Sequence, residues 1–438
     1  MAEIRPFRAW RYNNFFTPLI GELTAPLFDV VSEQQRLKLY QNPHNSIHLS
    51  VPLVQNEGKK AGEIALNTLK NWKNEGIITQ DEKPAIYIYY QYFSLADQPQ
   101  ILCRKGFICF LRVYDWQENV LLRHENTIPS AVNDRTELLE KTLLNASPTH
   151  GIYTDEALDL EKYMDEAIKN PIYETEDYQG VKDVLAKIEE EKIIKIFVNH
   201  LKDKQLILAD GHHRYESSLV LKQKKSSQNP AHTGEEGYNF HLIFLTNSAS
   251  DDLKILPTHR LWKGAIDGVP FSNDFIKKLE QYFIVGRVDN PSDLNEIICG
   301  KKWTFGLIMC KDTENKNLDK DIIAFKLSLK SESLETLDWD FPLVIKELDL
   351  TILHYFVFQK VIGIEGKDQR NSPNIGYERN FTECLTQVLQ GKARAAFIVN
   401  PVQMDEVQKV CQSGYTLPQK STYFYPKVIS GFVFGDIS

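Results

Sequence analysis

Two stretches of the chain, Ala85 to Phe93 and Gly106 to Tyr114, alternate with a period close to two and are rich in aromatic and β-branched residues. That pattern predicts strands, because successive side chains of a strand point to opposite faces. Phe240 to Thr246, Thr304 to Met309 and Ala395 to Val399 read as further strands. The apolar runs Ile193 to Val198 and Leu206 to Ala209, with His200 to Gln205 between them, read as a hairpin. Helical patterns fall on Ser32 to Tyr40, where Ser32 caps and Leu37 is expected to pack, on the acidic segments Asp155 to Ile168 and Asp177 to Glu191, and on Leu343 to Phe358. Lys222 to Gly237 is polar and reads as a long loop, either a lid or binding loop or a surface insertion, and Gly363 to Asn380 is a charged loop.

Past Gln205 the pattern changes character. Leu206 to Ala209 ends at Asp210-Gly211, and from His213 onward Tyr215, Ser218, Leu219 and Lys222 fit one helix with an apolar side. This is a strand, a glycine turn and a helix start. Glycine lets the backbone turn with positive φ and lets a ligand come close, and the first N–H groups of a helix attract anions. Arg214 adds a planar fork suited to phosphate or carboxylate, and His212 and His213 add donors or a proton acceptor. The alternative is a capped helix with solvated histidines.

Mixed strand and helix signals place the chain in the α/β (α+β) class, with mixed sheets and flanking helices. At 438 residues and 42% hydrophobic composition it is long enough for two or more domains. We expect an N-terminal segment, 1–82, packing on a phosphate-binding core, 83–260, followed by a C-terminal α/β region, 261–438. The formal net charge of -8 gives no basic footprint for a polyanion, so nucleic acid is not an expected partner. No apolar run reaches the roughly 20 residues of a membrane span, and no signal-peptide core follows the first residues, so a cytoplasmic home is expected. The six cysteines lack metal-ligand spacing and read as buried thiols.

Two weaker clusters accompany the turn. Arg123-His124-Glu125-Asn126-Thr127, followed by Asp134-Arg135 and the stretch Asn145 to His150, sits past a strand end; His124 and Glu125 are candidates for a general base or a metal site, or an exposed polar loop. Leu417 to Lys427 holds two lysines, Ser421 and Thr422 among aromatics, either an anion clamp or a sheet edge guarded by lysines. Neither a Walker A loop, a G-x-G-x-x-G fingerprint nor a G-x-S-x-G elbow occurs.

Ile4 to Ala9, Ala25-Pro26 with Phe28 to Val30, His124 to Thr127, Asp210 to Tyr215, Leu256 to Arg260 and Pro418 to Lys427, in that order, resemble the domain of unknown function 1015 family over nearly the whole chain. The Asp-Gly-His-His-Arg turn is in turn similar to the Gly-x-x-Arg turn of the ParB and sulfiredoxin superfamily, which includes CTP-binding partition proteins, a cysteine-sulfinate reductase and kinases of free serine. The resemblance implies a ParB/sulfiredoxin-like core plus an additional domain, and a nucleotide triphosphate or diphosphate with Mg²⁺ as cofactor. Gly211, His212, His213, Arg214 and Tyr215 would bind phosphate, and Glu125, His124, Asp210 and His212 would carry catalysis. Arg135, His259, Arg260, Lys420, Ser421 and Thr422 form a further candidate set, and the metal ligands are left open. The preferred expectation is phosphotransfer to a small hydroxylated metabolite such as free serine. A phosphatase using His212 or His213, and a nucleotide-sensing protein without turnover, are the alternatives. Oligomerisation is left open.

Overall fold

The computed structural model describes residues 2–54, 60–95, 98–264, 273–310, 322–370, 372–418 and 420–438. The fold is mixed α/β. Contacts divide it into two units, Met1–Lys254 with Phe424–Ser438, and Ile255–Tyr423. Among the described residues no helix is long and apolar enough to cross a membrane.

The first unit is built on a nine-stranded mixed sheet. Its path runs Leu121–Arg123, Leu206–Asp210, Thr149–Tyr153, Phe240–Asn247, Gln98–Arg112, Ile86–Leu95, Lys182–Ile188 and Tyr173–Glu176, with Ile4–Arg5 pairing to Gln98–Arg112 off this path. Period two assigns the faces. Ile86, Ile88, Phe107, Cys109, Ile243 and Leu245 enter one buried cluster, while Tyr87, Tyr89, Ile108, Leu242 and Phe244 enter another. A sheet covered on both faces buries every position of its inner strands, so Phe240–Asn247 is buried throughout and carries an unbroken apolar run from Leu242 to Leu245. Phe197, Leu201, Tyr215 and Leu219 cover the first face from their helices; Leu69, Trp72 and the C-terminal Val428 to Phe434 cover the second.

The second unit holds a six-stranded sheet in the order Phe283–Val288, Ile322–Leu329, Thr304–Cys310, Ala395–Ile398, His259–Trp262 and Ile375–Glu378, every neighbouring pair antiparallel.

The expected strands at 85–93, 106–114, 240–246, 304–309 and 395–399 all form. Two readings fail for one reason, that short apolar runs take their period from their neighbours. Asp177 to Glu191 is no helix; Lys182–Ile188 is a strand, held between Ile86–Leu95 and Tyr173–Glu176. Ile193 to Val198 is no hairpin arm either. It lies in a helix, Glu191–Leu201, whose Ile194, Phe197 and Leu201 recur at helical spacing on the buried side.

Smaller departures follow the same logic. Asp155 to Ile168 is helical only over Glu161–Ala167. Ser32 caps its helix reciprocally with Gln35, but Leu37 stays exposed. The helix after the glycine turn continues to Gln228, so the long loop is shorter than its composition suggested. Leu343 to Phe358 breaks into Leu343–Lys346, Asp349–Ile352 and a wide-turned segment, Leu353–Val361. The charged stretch 363–380 contains the strand Ile375–Glu378. Three of the six cysteines are buried, but Cys299 is exposed.

Candidate functional site

Leu206–Asp210 pairs in parallel with Leu121–Arg123, so the two strands end at the same edge of the sheet. His124 and Glu125 leave one strand there as Asp210 and Gly211 leave the other. Carboxyl ends of parallel strands are where open α/β sheets bind ligands. Thr149–Tyr153 pairs antiparallel on the other side and brings His150 opposite Asp210.

Gly211 turns with φ of +91° and caps the helix His212–Gln228. The first helical bond runs from the Tyr215 N–H to the Gly211 carbonyl, so the N–H groups of His212, His213 and Arg214 precede the helical ladder. A Cβ at Gly211 would lie 2.6 Å from Thr149 Cγ2 and 2.8 Å from Arg214 Nη2. Glycine is therefore required twice, by the backbone angle and by the close approach of the guanidinium.

Arg214 donates from Nη2 to Asp210 Oδ2 at 2.9 Å, and from Nη1 to Ser147 Oγ at 3.1 Å and the Pro148 carbonyl at 2.6 Å. The other Asp210 oxygen accepts from Lys427, which arrives from the far end of the chain. Burial opposes ionisation of Asp210, yet Lys427 and Arg214 hold its carboxyl well below the usual range. Two cations thus share one carboxylate at the positive end of a helix. The excess positive potential suits an anion.

Around this cluster burial favours the neutral form of three imidazoles, His124, His150 and His212. Burial pushes His124 down to about 4, against a backbone hydrogen bond at Leu208 that favours the charged form. Burial, and then His124, hold His212 well below its ordinary value. The two rings meet edge to face, 4.8 Å apart, and Nε2 of His212 is buried with no hydrogen-bond partner among the described residues. His150, lowered by burial and then by Arg104, bonds Thr246 Oγ1 at 2.7 Å. Phe424 lies against both His124 and His150.

Other sequence candidates are engaged elsewhere. His213 Nε2 accepts the Ile128 N–H at 3.0 Å. Tyr215 is fully buried, its hydroxyl donating to the Tyr114 carbonyl and accepting from the Tyr114 N–H, which is a packing role and not a phosphate contact. Glu125 is half-buried in the bend next to His124. Arg135 bonds the Ser50 carbonyl and Asp134, and lines a cavity that Arg214 also lines.

His259, Arg260, Lys420, Ser421 and Thr422 belong to the second unit. His259 Nδ1 accepts the Val399 N–H, Arg260 bonds Thr258 and His354, Ser421 bonds the Pro418 carbonyl, and Lys420 is exposed. Lys427 and Ser147 are the residues that local reading did not tie to the turn. Both sit in stretches marked as polar, but nothing in those stretches singles them out. Among the described residues one carboxylate and imidazole group is close enough for a metal ion, Asp155, Asp159 and His200, past the opposite end of the Thr149–Tyr153 strand.

A mixed α/β protein with a cationic strand-turn-helix site is the class these features define. The chain belongs to the DUF1015 family, proteins of unknown function, whose profile matches residues 4–350. Among solved structures, a free serine kinase variant in complex with ADP is similar at 12% identity and a TM-score of 0.34, over 74% of this chain and 92% of that one. The free serine kinase in complex with AMP gives 12% and 0.34, over 74% and 91%. SbnI with a C-terminal truncation, from Staphylococcus aureus, gives 11% and 0.34, over 74% and 86%. No curated protein matches.

Proposed function

We propose that the protein transfers a phosphoryl group between a nucleotide and a small hydroxylated metabolite at the Asp210 to Arg214 turn. The convergence of Arg214 and Lys427 on one carboxylate, at a helix N-terminus beside two parallel strand ends, carries this reading. Phosphoryl transfer needs mainly positioning and charge neutralisation, which cations and helix N–H groups supply.

In this scheme the N–H groups of His212 and His213, with Arg214 and Lys427, hold the phosphate. The acceptor oxygen forms its bond to phosphorus as the bond to the nucleotide oxygen breaks, and the hydroxyl proton passes to Glu125. His124, held near 4 by burial, is a weak base at neutral pH and serves as a neutral hydrogen-bonding group, as does His212. Mg²⁺ entering with the nucleotide would find carboxylates in Asp210 and Glu125, though at Asp210 it competes with two cations already bound. Kinship of the turn with that of ParB and sulfiredoxin belongs to the same proposal.

The test combines melting curves with ADP, ATP, AMP and inorganic phosphate, each with and without Mg²⁺, and phosphorus NMR of mixtures containing free serine and other small alcohols. A ligand bound only by the folded state raises the melting temperature. Nucleotide consumption that requires an acceptor supports the reading. Phosphate release from phosphoesters alone would make the protein a phosphatase, and stabilisation without turnover a sensor.

A further inference from the structure

Beside Arg214 lies a cavity of about 50 Å³ whose lining mixes apolar residues, among them Phe28 and Leu144, with Ser50, Asn145, Arg135 and Arg214. One water needs only ~10–15 Å³ of such space, so the cavity takes a larger group. Three polar atoms of these lining residues are buried and have no hydrogen-bond partner among the described residues: Ser50 Oγ, Asn145 Nδ2 and Arg214 Nε. Ser50 and Asn145 are each 6% exposed. A buried polar group without a partner is costly, so a fold does not gather three around one hollow without return.

The chemistry of the three is one-sided. The Asn145 amide nitrogen and Arg214 Nε can only donate, and the Ser50 hydroxyl can donate. A ligand that answers them is an acceptor with several lone pairs and no positive charge. Arg214 and Arg135 favour a negative one, while their salt bridges to Asp210 and Asp134 already offset much of their charge, which suits a monoanion better than a dianion. The apolar part of the lining matches a short carbon stem.

We infer that this cavity binds a carboxylate on a small organic molecule. The guanidinium of Arg214 joins the two places: Nη2 holds Asp210 at the turn, while Nε, in the same rigid plane, has no partner among the described residues and Arg214 lines the cavity. If the proposed function holds, the carboxylate is the acid end of the phosphoryl acceptor, and Arg214 fixes the distance between the acid group and the reacting hydroxyl. That last assignment rests on the proposed function; the carboxylate site rests on the cavity alone.

Saturation-transfer NMR with acetate and with its uncharged counterpart acetamide tests this on the full chain, with ADP-induced melting shifts recorded in parallel. Acetate is expected to bind saturably and acetamide not. Ser50→Ala and Asn145→Leu should each weaken acetate at least tenfold while leaving the ADP shift in place, which also reports that the variants fold. Lys427→Met should lose the ADP shift and keep acetate. Equal binding of acetate and acetamide, acetate binding untouched by both cavity variants, or acetate lost with Lys427→Met but kept in the cavity variants overturns the inference. An absent ADP shift in the unaltered protein, with the acetate pattern intact, overturns the proposed function and leaves the carboxylate site standing.

Discussion

Two arginines stand beside histidines in similar-looking sequence, His213-Arg214 in the first unit and His259-Arg260 in the second, and the fold uses them oppositely. Arg260 lies within a sheet, in the strand His259–Trp262 between Ile375–Glu378 and Ala395–Ile398, and is fully buried. Its guanidinium bonds the Thr258 carbonyl and His354 Nε2 and lies over Tyr377. Arg214 lies in the first turn of a helix, past a strand end, salt-bridged to a carboxylate shared with a second cation and bordering a cavity. An arginine inside a sheet holds its own unit together. An arginine at a strand end, with charge to spare, is placed to hold something else.

The largest separation between them is expected in stability. Arg260→Ala leaves a cavity and unpaired acceptors, and should destabilise the second unit by about 3–5 kcal/mol in urea denaturation. A loss under about 1 kcal/mol would show that Arg260 is dispensable to packing.

Next comes Gly211→Ala, where a strained φ combines with a clash against Thr149 and the Arg214 guanidinium. We expect a cost of roughly 2–4 kcal/mol together with loss of any phosphate-induced melting shift. Retention of that shift would separate the turn geometry from binding.

Arg214→Ala and Lys427→Met should each weaken nucleotide binding by about 1.5–3 kcal/mol, roughly tenfold to hundredfold, by calorimetric titration. Arg214→Lys should fall between, keeping charge without the planar fork. Because Arg214 also bonds Ser147 and Pro148, a stability loss of about 1–2 kcal/mol should accompany the binding defect in Arg214→Ala. Unaltered affinity in Arg214→Ala would end the phosphate reading.

The smallest effect per group comes from pH. Burial lowers His48, His124, His150, His212 and His241 in the first unit, and His259 and His354 in the second. A lowered folded value means that the unfolded chain binds the proton first, so this stability is present above about pH 6.5 and falls on acidification, by under about 1 kcal/mol per histidine between pH 7 and pH 6. Asp183 in the first unit, raised to about 7 by burial, and Asp349 in the second, raised to about 6, work the other way and lose stability as pH rises toward those values. With one such aspartate in each unit, the histidines decide, and the first unit should lose hydrogen-exchange protection sooner between pH 6.5 and pH 5 once intrinsic rates are corrected. Equal loss in both units would count against the assigned burial.

Much of the turn was legible because its signals are local. An apolar run, a glycine and an amphipathic helix start follow one another within a few residues, and strand Leu206–Asp210, cap Gly211 and helix His212–Gln228 form accordingly. The failures at 177–191 and 193–198 came where a short apolar run fits either period, and pairing partners distant in sequence chose between them.

By itself the sequence determined that a glycine turn with an arginine three residues on would open a helix after a strand, since those preferences are set by backbone sterics and side-chain chemistry within one turn. Only the tertiary structure decided that Lys427, 217 positions away, would share Asp210 with Arg214, and that Ser50 and Asn145, with Oγ and Nδ2 buried without partners among the described residues, would line one cavity. Those relations depend on how distant segments close over the sheet, and burial, which sets both the charge of an imidazole and the cost of a lone donor, exists only once they have closed.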